Sequence, residues 1–420
     1  MEGQIPQTAI SAANSEDPVR SHFSDLPNES GDVVLRLLHT ADWHLGRRFL
    51  SFPEEAQKKL SRARMDVIAT ILDVARRNAV HALLCAGDLF DDPEPEPDFW
   101  QGLAKTFREQ GDPDTPIFLV PGNHDPLTPE SVWAPGHPFR ARLPEWVKVV
   151  DRDDFSYEIS PEAILYARPC RSKAGENDLA MALPAREAGD ERLRIGCVHG
   201  CTFDIDGYET NFPICRDAGV QRGMDYLAIG DTHSFRDVTS NLSVPTVYPG
   251  APEPTTFDEF AAGNVALVAL FRHGRRPRID AQPVAFWRWI AVQCRDMNEL
   301  RGVLTIQNLD RHVVRLSLDM TVSLSEEIEV DRILRDLEGT DATHGRAGIL
   351  IVDRANLRLQ VGSGDAFPED LPAVVRDTVD RLDKLIADAV DEPEKSKATR
   401  ALSHLYKLLQ SEHAGSGRRL

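Results

Sequence analysis

The chain has 420 residues and a formal net charge of −19, from 48 basic and 67 acidic side chains. Hydrophobic residues make up 41% of it, enough to build a sizeable core and too much for a disordered chain. The acidic balance argues against a protein that grips nucleic acid unaided, because Lys and Arg contacts to phosphate supply most of that affinity. It leaves room for a local basic patch, for a metal site that offsets the charge, or for a partner that does the gripping.

Residues 1–32 are rich in Ser, Asn, Glu and Pro and read as a flexible tail without the apolar stretch of a secretory signal. No apolar run reaches the roughly eighteen residues a membrane span needs. Six scattered cysteines without a CxxC pair fit a reducing compartment, so the expected location is the cytoplasm, away from any membrane.

From Val33 the texture changes. Val33 to Leu38 is a candidate buried strand, and Lys58 to Ala79 carries Leu60, Met65, Ile68, Ile71, Leu72 and Ala75 at helical spacing. Ala82 to Ala86 is a second strand candidate, Phe99 to Gln110 a helix, and Ile117 to Val120 a third strand. This alternation predicts parallel β structure covered by helices. Ala163–Ala167, Leu193–Val198, Tyr226–Ile229, Thr246–Tyr248 and Val265–Phe271 are further strand candidates. A seam is expected near His273 to Pro277, followed by an α+β module with strands around 313–318, 347–352 and 357–361 and a helix at 327–337. The last section is helical, with Val375, Val379, Leu382 and Ile386, then Ala398, Leu402, Leu405 and Leu409, at steps of three and four.

Five of the strand candidates run directly into metal-type residues: Thr40-Ala-Asp-Trp-His44, Gly87-Asp88, Gly122-Asn-His-Asp125, His199-Gly200 and Gly230-Asp-Thr-His233. The carboxyl ends of parallel strands form the ligand crevice of an open α/β sheet. A mixed set of carboxylate, amide and imidazole donors suits ions such as Mn, Fe or Zn. Asp42, His44, Asp88, Asn123, His199, Asp231 and His233 are too many ligands for one ion, but two ions sharing a bridging carboxylate would use them all. Such pairs drive in-line attack on phosphorus by acidified water, and His124 could serve the leaving oxygen. Arg47 and Arg48 follow the first block and are candidates to touch substrate phosphate.

The order of these blocks resembles the calcineurin-like metallophosphoesterases. Thr40-Ala-Asp-Trp-His-Leu-Gly46, Ala86-Gly-Asp-Leu-Phe90 and Tyr248-Pro-Gly-Ala-Pro-Glu253 look like their SbcD-type DNA repair exonuclease branch. The resemblance implies a four-layer α/β/β/α sandwich over residues 33–275, a smaller α+β capping domain at 280–365 and a C-terminal helical segment at 366–420. It implies that one ion is held by Asp42, His44, Asp88 and His233 and the other by Asp88, Asn123, His199 and position 231. Asp88 would then bridge, His124 would assist the leaving group and Asp125 would orient His124. The implied activity is cleavage of DNA phosphodiesters with an SMC-type coiled-coil ATPase as partner, and a homodimer is common in that branch.

Two residues depart from the family pattern. Asp231 stands where the last motif usually has His, which favours Mn²⁺ or Mg²⁺ over Zn²⁺, and Asp91 stands where repair nucleases often have His. Asp91, in a short acidic proline-rich run, reads as a solvated loop carboxylate. Two rival functions keep the same residues: a phosphatase or phosphodiesterase acting on nucleotides or small phosphoesters, and a catalytically weak scaffold that binds DNA ends or the ATPase.

Overall fold

The computed structural model describes residues 33–202, 210–239, 244–271, 276–340, 343–360 and 372–416. The expected tail at 1–32 lies outside them. Two six-stranded sheets carry the N-terminal unit. Its strands in chain order are β1 (Val33–Thr40), β2 (Ala82–Ala86), β3 (Ile117–Val120), β4 (Val147–Val149), β5 (Phe155–Ser160), β6 (Ala163–Ala167), β7 (Leu193–His199), β8 (Tyr226–Gly230), β9 (Arg236–Asp237), β10 (Thr246–Tyr248), β11 (Asn264–Phe271) and β12 (Arg278–Pro283). The first sheet runs β12-β11-β1-β2-β3-β4, with β1 to β4 parallel and β11 and β12 antiparallel. The second runs β5-β6-β7-β8-β10-β9, parallel in its middle and antiparallel at both edges.

The two sheets pack face to face. Leu35, Leu37, Leu84, Phe118 and Val120 of the first meet Leu165, Ile195, Tyr226 and Val247 of the second in one buried cluster. Period-two alternation sends the intervening side chains outward. Leu38, Leu83, Ile117 and Leu119 pack beneath α1 (Glu54–Arg77) and α2 (Pro97–Gln110), which bury Val67, Ile68, Ile71, Leu103 and Phe107. Glu54 and Glu55 in the first turn of α1 and Arg76 and Arg77 in its last complement the helix dipole. A short α3 (Pro138–Arg142) follows. The outer face of the second sheet buries Val198, Leu227 and Ile229 under Leu179, Leu183, Phe212 and Ile214. Among the described residues that fourth layer is largely irregular chain plus the one-turn α4 (Ala218–Gln221).

The edge strands β5 and β12 carry half-exposed polar residues and give little apolar signal, which is why the sequence does not announce them. β12 moves the seam. It pairs with β11 from Asn264↔Pro283 to Ala269↔Arg278, so the first compact unit extends to Arg288 rather than ending near 275. The second unit begins at Trp289. It contains β13 (Arg288–Cys294), α5 (Met297–Val303), β14 (His312–Leu318), α6 (Leu324–Glu338) and β15 (Ile349–Asp353), with β14 central and parallel to β15. α6 starts at a reciprocal capping box between Ser323 and Glu326. α7 (Ala373–Asp388) and α8 (Glu392–Ser416) follow, and Val379, Leu402 and Tyr406 bury against Leu324. Among the described residues no helix is long and apolar enough to cross a membrane.

One buried polar pair crosses the sheet-to-sheet core. Nδ1 of His39 on β1 hydrogen-bonds the Tyr226 hydroxyl on β8 at 2.9 Å, and its Nε2 has no partner among the described residues. Burial lowers the imidazole pKa to about 3. The unfolded chain therefore takes up a proton near pH 6.5 that the folded chain refuses until about pH 3, and stability present above pH 6.5 drains away as pH falls through that window. Between pH 7 and pH 5 this group alone should cost about 2 kcal/mol. Urea unfolding of wild type and His39→Gln at both pH values checks this, because the variant should lack that part of the acid slope.

Candidate metal centre

The strand order brings the carboxyl ends of β1, β2, β3, β7 and β8 to one place, and each of the seven expected ligands sits there. The first two loops are stitched together by backbone. Asp42 N–H donates to the Gly87 carbonyl at 3.1 Å and His44 N–H to the Asp88 carbonyl at 3.0 Å. Asp42, His44, Asp88 and Asp231 all have positive φ, at 55°, 45°, 54° and 112°. Non-glycine residues rarely occupy that region, and clustered strain of this kind is held in place by the surrounding fold. Two glycines are required by contact: a Cβ on Gly87 would lie 2.2 Å from His199 Nδ1, and one on Gly122 would lie 2.1 Å from Asp88 Oδ1.

Asp42, His44, Asp88 and His199 are essentially excluded from solvent, at 0%, 1%, 2% and 0% exposure. Asp88 is at the middle. Its Oδ2 lies 3.7 Å from His44 Nε2 and 3.5 Å from His199 Nε2, and its Oδ1 accepts from the His124 backbone N–H at 2.9 Å. On one side, His44 Nε2 faces His233 Nε2 at 3.0 Å, and Asp42 completes a cluster with the two imidazoles. On the other side, His199 Nε2 faces Asn123 Oδ1 at 2.8 Å and Asp231 Oδ1 at 3.6 Å. The Asp231 backbone N–H donates to both oxygens of Asp42, at 3.1 and 3.2 Å.

The outer nitrogens decide what these groups can do. His199 Nδ1 is 2.8 Å from the Ala86 carbonyl, which only accepts, so Nδ1 carries the proton and a neutral ring turns its Nε2 lone pair toward oxygen acceptors. His44 Nδ1 meets the Asp91 carboxylate at 3.0 Å and His233 Nδ1 meets Glu259 at 2.8 Å, so their two Nε2 lone pairs point at each other. Lone pairs facing lone pairs repel unless a cation lies between them. The donor set therefore fits divalent cations on both sides of Asp88.

The proton affinities express the same demand. Burial raises Asp42 to about 7, reinforced by Asp88 and Asp231 and opposed by His199 and His233. Burial works against charge on His199, but Asp88, Asp42 and Asp231 together raise its pKa well above the usual imidazole value. Burial also opposes charge on Asp88, yet His199, His44 and His124 hold it below the ordinary carboxylate range.

His124 stands at the mouth, its side chain 44% exposed, with its ring edge-on to His44 at 4.8 Å between centroids. The expected pairing of Asp125 with His124 is replaced by another. Both Asp125 oxygens turn under the loop and accept from the backbone N–H groups of Gly122 at 2.8 Å and Phe90 at 3.1 Å. Asp91 is the carboxylate beside His124, its Oδ1 4.0 Å from Nδ1 and its carbonyl oxygen 3.4 Å away. Asp91 is thus no solvated turn residue: it joins His44, His124 and Arg47, whose guanidinium is 3.4 Å from it. Arg48 points elsewhere and pairs with Glu96 on the surface. Arg64, which sequence reading passes over, lies in α1 in phase with Leu60, Val67 and Ile71. It is buried and donates to the carbonyls of Trp43, Glu253 and Pro254, joining the first motif to the Tyr248–Glu253 segment.

The model of the calcineurin-like phosphoesterase family matches residues 35–235. The chain is 35% identical over 351 residues to the SbcD subunit of the nuclease SbcCD of Escherichia coli, covering 72% of this chain and 80% of that protein. It is 29% identical over 226 residues to the uncharacterized metallophosphoesterase YhaO of Bacillus subtilis, covering 51% of this chain and 52% of the relative. It is 24% identical over 220 residues to the DNA double-strand break repair protein Mre11 of Saccharolobus solfataricus, covering 52% and 55%. The chain spans about half the length of the YhaO and Mre11 relatives it matches.

Proposed function

This chain belongs to the calcineurin-like phosphoesterase family, and on that footing we propose that it is a two-cation phosphodiesterase that cleaves DNA during repair or end processing, beside a coiled-coil ATPase subunit. The observation that carries the catalytic half is the arrangement around Asp88: three imidazoles, each with its outer nitrogen tied off, aim their Nε2 atoms at two positions flanking one carboxylate. Asp42, His44, Asp88 and His233 would hold one cation; Asp88, Asn123, His199 and Asp231 would hold the other. Asp42, Asp88 and Asp231 make the donors oxygen-rich, which suits Mn²⁺, or Mg²⁺, better than a thiolate-seeking ion. The chemistry such cations supply is acidified water and neutralised charge on phosphoryl oxygens.

The chain's own groups do the rest. His124, open to solvent at the mouth, is placed to hold a phosphoryl oxygen and to give a proton to the departing one. Arg47, half-buried against Asp91, supplies positive charge at the same rim. The DNA substrate and the ATPase partner draw support from the relatives' names, one a nuclease subunit and one a double-strand break repair protein. Val374, Leu385, Val390 and Leu408, exposed along α7, α8 and their link, support a docking role for that segment. The acidic net charge fits a subunit that leaves much of the grip on DNA to its partner.

Purified protein loaded with Mn²⁺ should degrade linear duplex DNA, and EDTA should abolish that cleavage. Hydrolysis of bis-p-nitrophenyl phosphate without DNA cleavage, in the presence of the partner ATPase, would reassign it to small phosphoesters. Cleavage that survives EDTA would overturn the two-cation reading.

A further inference from the structure

We propose that Glu259 is a positioning residue for the cation centre: it holds the Nδ1 proton of His233 and so aims that ring's Nε2 at the position shared with Asp42, His44 and Asp88. This rests on the reading that the cluster holds cations. Three observations support it. First, the Glu259 side chain is only 8% exposed, and among the described residues its one ion-pair partner is His233, at 2.8 Å. A buried carboxylate is costly unless paired and hydrogen-bonded, so its placement behind a ligand imidazole needs a reason. Second, the carboxylate is itself oriented. Oε2 accepts from the Thr255 backbone N–H at 2.8 Å, and Oε1 is hydrogen-bonded by the Thr255 hydroxyl, which also lies 2.9 Å from His233 Nδ1.

Third, the segment carrying Glu259 is clasped onto the chain that follows His233. Phe260 N–H donates to Ser234 Oγ at 2.9 Å, Gly263 N–H to the Ala251 carbonyl at 2.8 Å and Ala251 N–H to the His233 carbonyl at 2.9 Å. Ala261 between them is held at φ 53°. The three imidazoles are therefore backed differently. His199 leans on a neutral backbone carbonyl and His44 on a carboxylate that is 28% exposed, whereas His233 leans on an enclosed carboxylate. Removing Glu259 should weaken one cation position and spare the other.

The test is calorimetric titration of Mn²⁺ alone into chelator-stripped full-length protein, with thermal melting in EDTA as a control on the fold. Wild type should show two binding events. E259A should weaken one of them by about 10–100-fold, the range typical of outer partners of metal ligands. E259Q should weaken it less, because its amide oxygen still accepts from Nδ1–H. Both variants should melt in EDTA as wild type does. If E259A does not fold, E259Q decides alone: a weakened event upholds the role and wild-type affinity overturns it. E259A binding both ions with wild-type affinity, or losing stability in EDTA with no selective loss of one event, overturns the inference. Wild type that binds no Mn²⁺ overturns the cation reading itself.

Discussion

Asp88→Asn should lower phosphodiester cleavage by roughly 10⁴-fold or more, about 5.4 kcal/mol of lost transition-state stabilisation. One carboxylate oxygen lies within 3.7 Å of imidazoles on both sides of the cluster, so no other single side chain serves both cation positions. Its second oxygen takes the backbone N–H of His124, so the same change loosens the residue that would attend the leaving group. An amide nearly matches the carboxylate in shape, which keeps the packing of a residue only 2% exposed. The expected signature is therefore chemical. Manganese content falls, and the rise in melting temperature that Mn²⁺ gives wild type disappears, because a ligand stabilises only the state that binds it. A variant that keeps full Mn²⁺-dependent cleavage would remove Asp88 from the centre.

His124→Ala should separate chemistry from metal binding. Its backbone N–H, which serves Asp88, survives the change, and its ring is the most open of the site imidazoles. Cation content should therefore stay at the wild-type level while cleavage of DNA falls by about 10²–10⁴-fold, the usual contribution of a positioned acid or base. The loss should shrink for bis-p-nitrophenyl phosphate, whose leaving group departs without needing a proton. Equal losses on both substrates would point to a role in holding the phosphoryl group instead, and a loss of cations would show the ring to be structural.

The parts of this molecule that the sequence makes legible share one property: the signal is local. Apolar runs such as Ala82–Ala86 and Ile117–Val120 end abruptly in Gly, Asp, Asn and His, and a parallel sheet gathers such ends at one edge. What stays hidden depends on distant partners. Asp91 lies in an acidic, proline-rich stretch that looks solvated until β1 and β2 bring His44 against it. Glu259 looks like a loop residue until the Tyr248–Glu253 segment folds it back onto His233. Arg64 does leave a trace, since a cation in phase with Leu60, Val67 and Ile71 has to be satisfied inside the protein. The seam does not fall at 273–277 because β12 is a polar edge strand whose identity comes from its pairing with β11 rather than from its own composition. The neighbour of a catalytic-type His is likewise a poor guide to its partner: Asp125 turns into the loop while Asp91 takes that place.

Whether residues from five strand ends cage a pair of cations around Asp88 can be read directly. Anomalous diffraction at the manganese edge, from crystals grown with Mn²⁺, locates the ions. Two peaks are expected roughly 3.5–4 Å apart, one beside the Nε2 atoms of His44 and His233 and one beside that of His199, with Asp88 between them. Crystals that show no peak in this cluster, or ions bound only elsewhere on the protein, would contradict it.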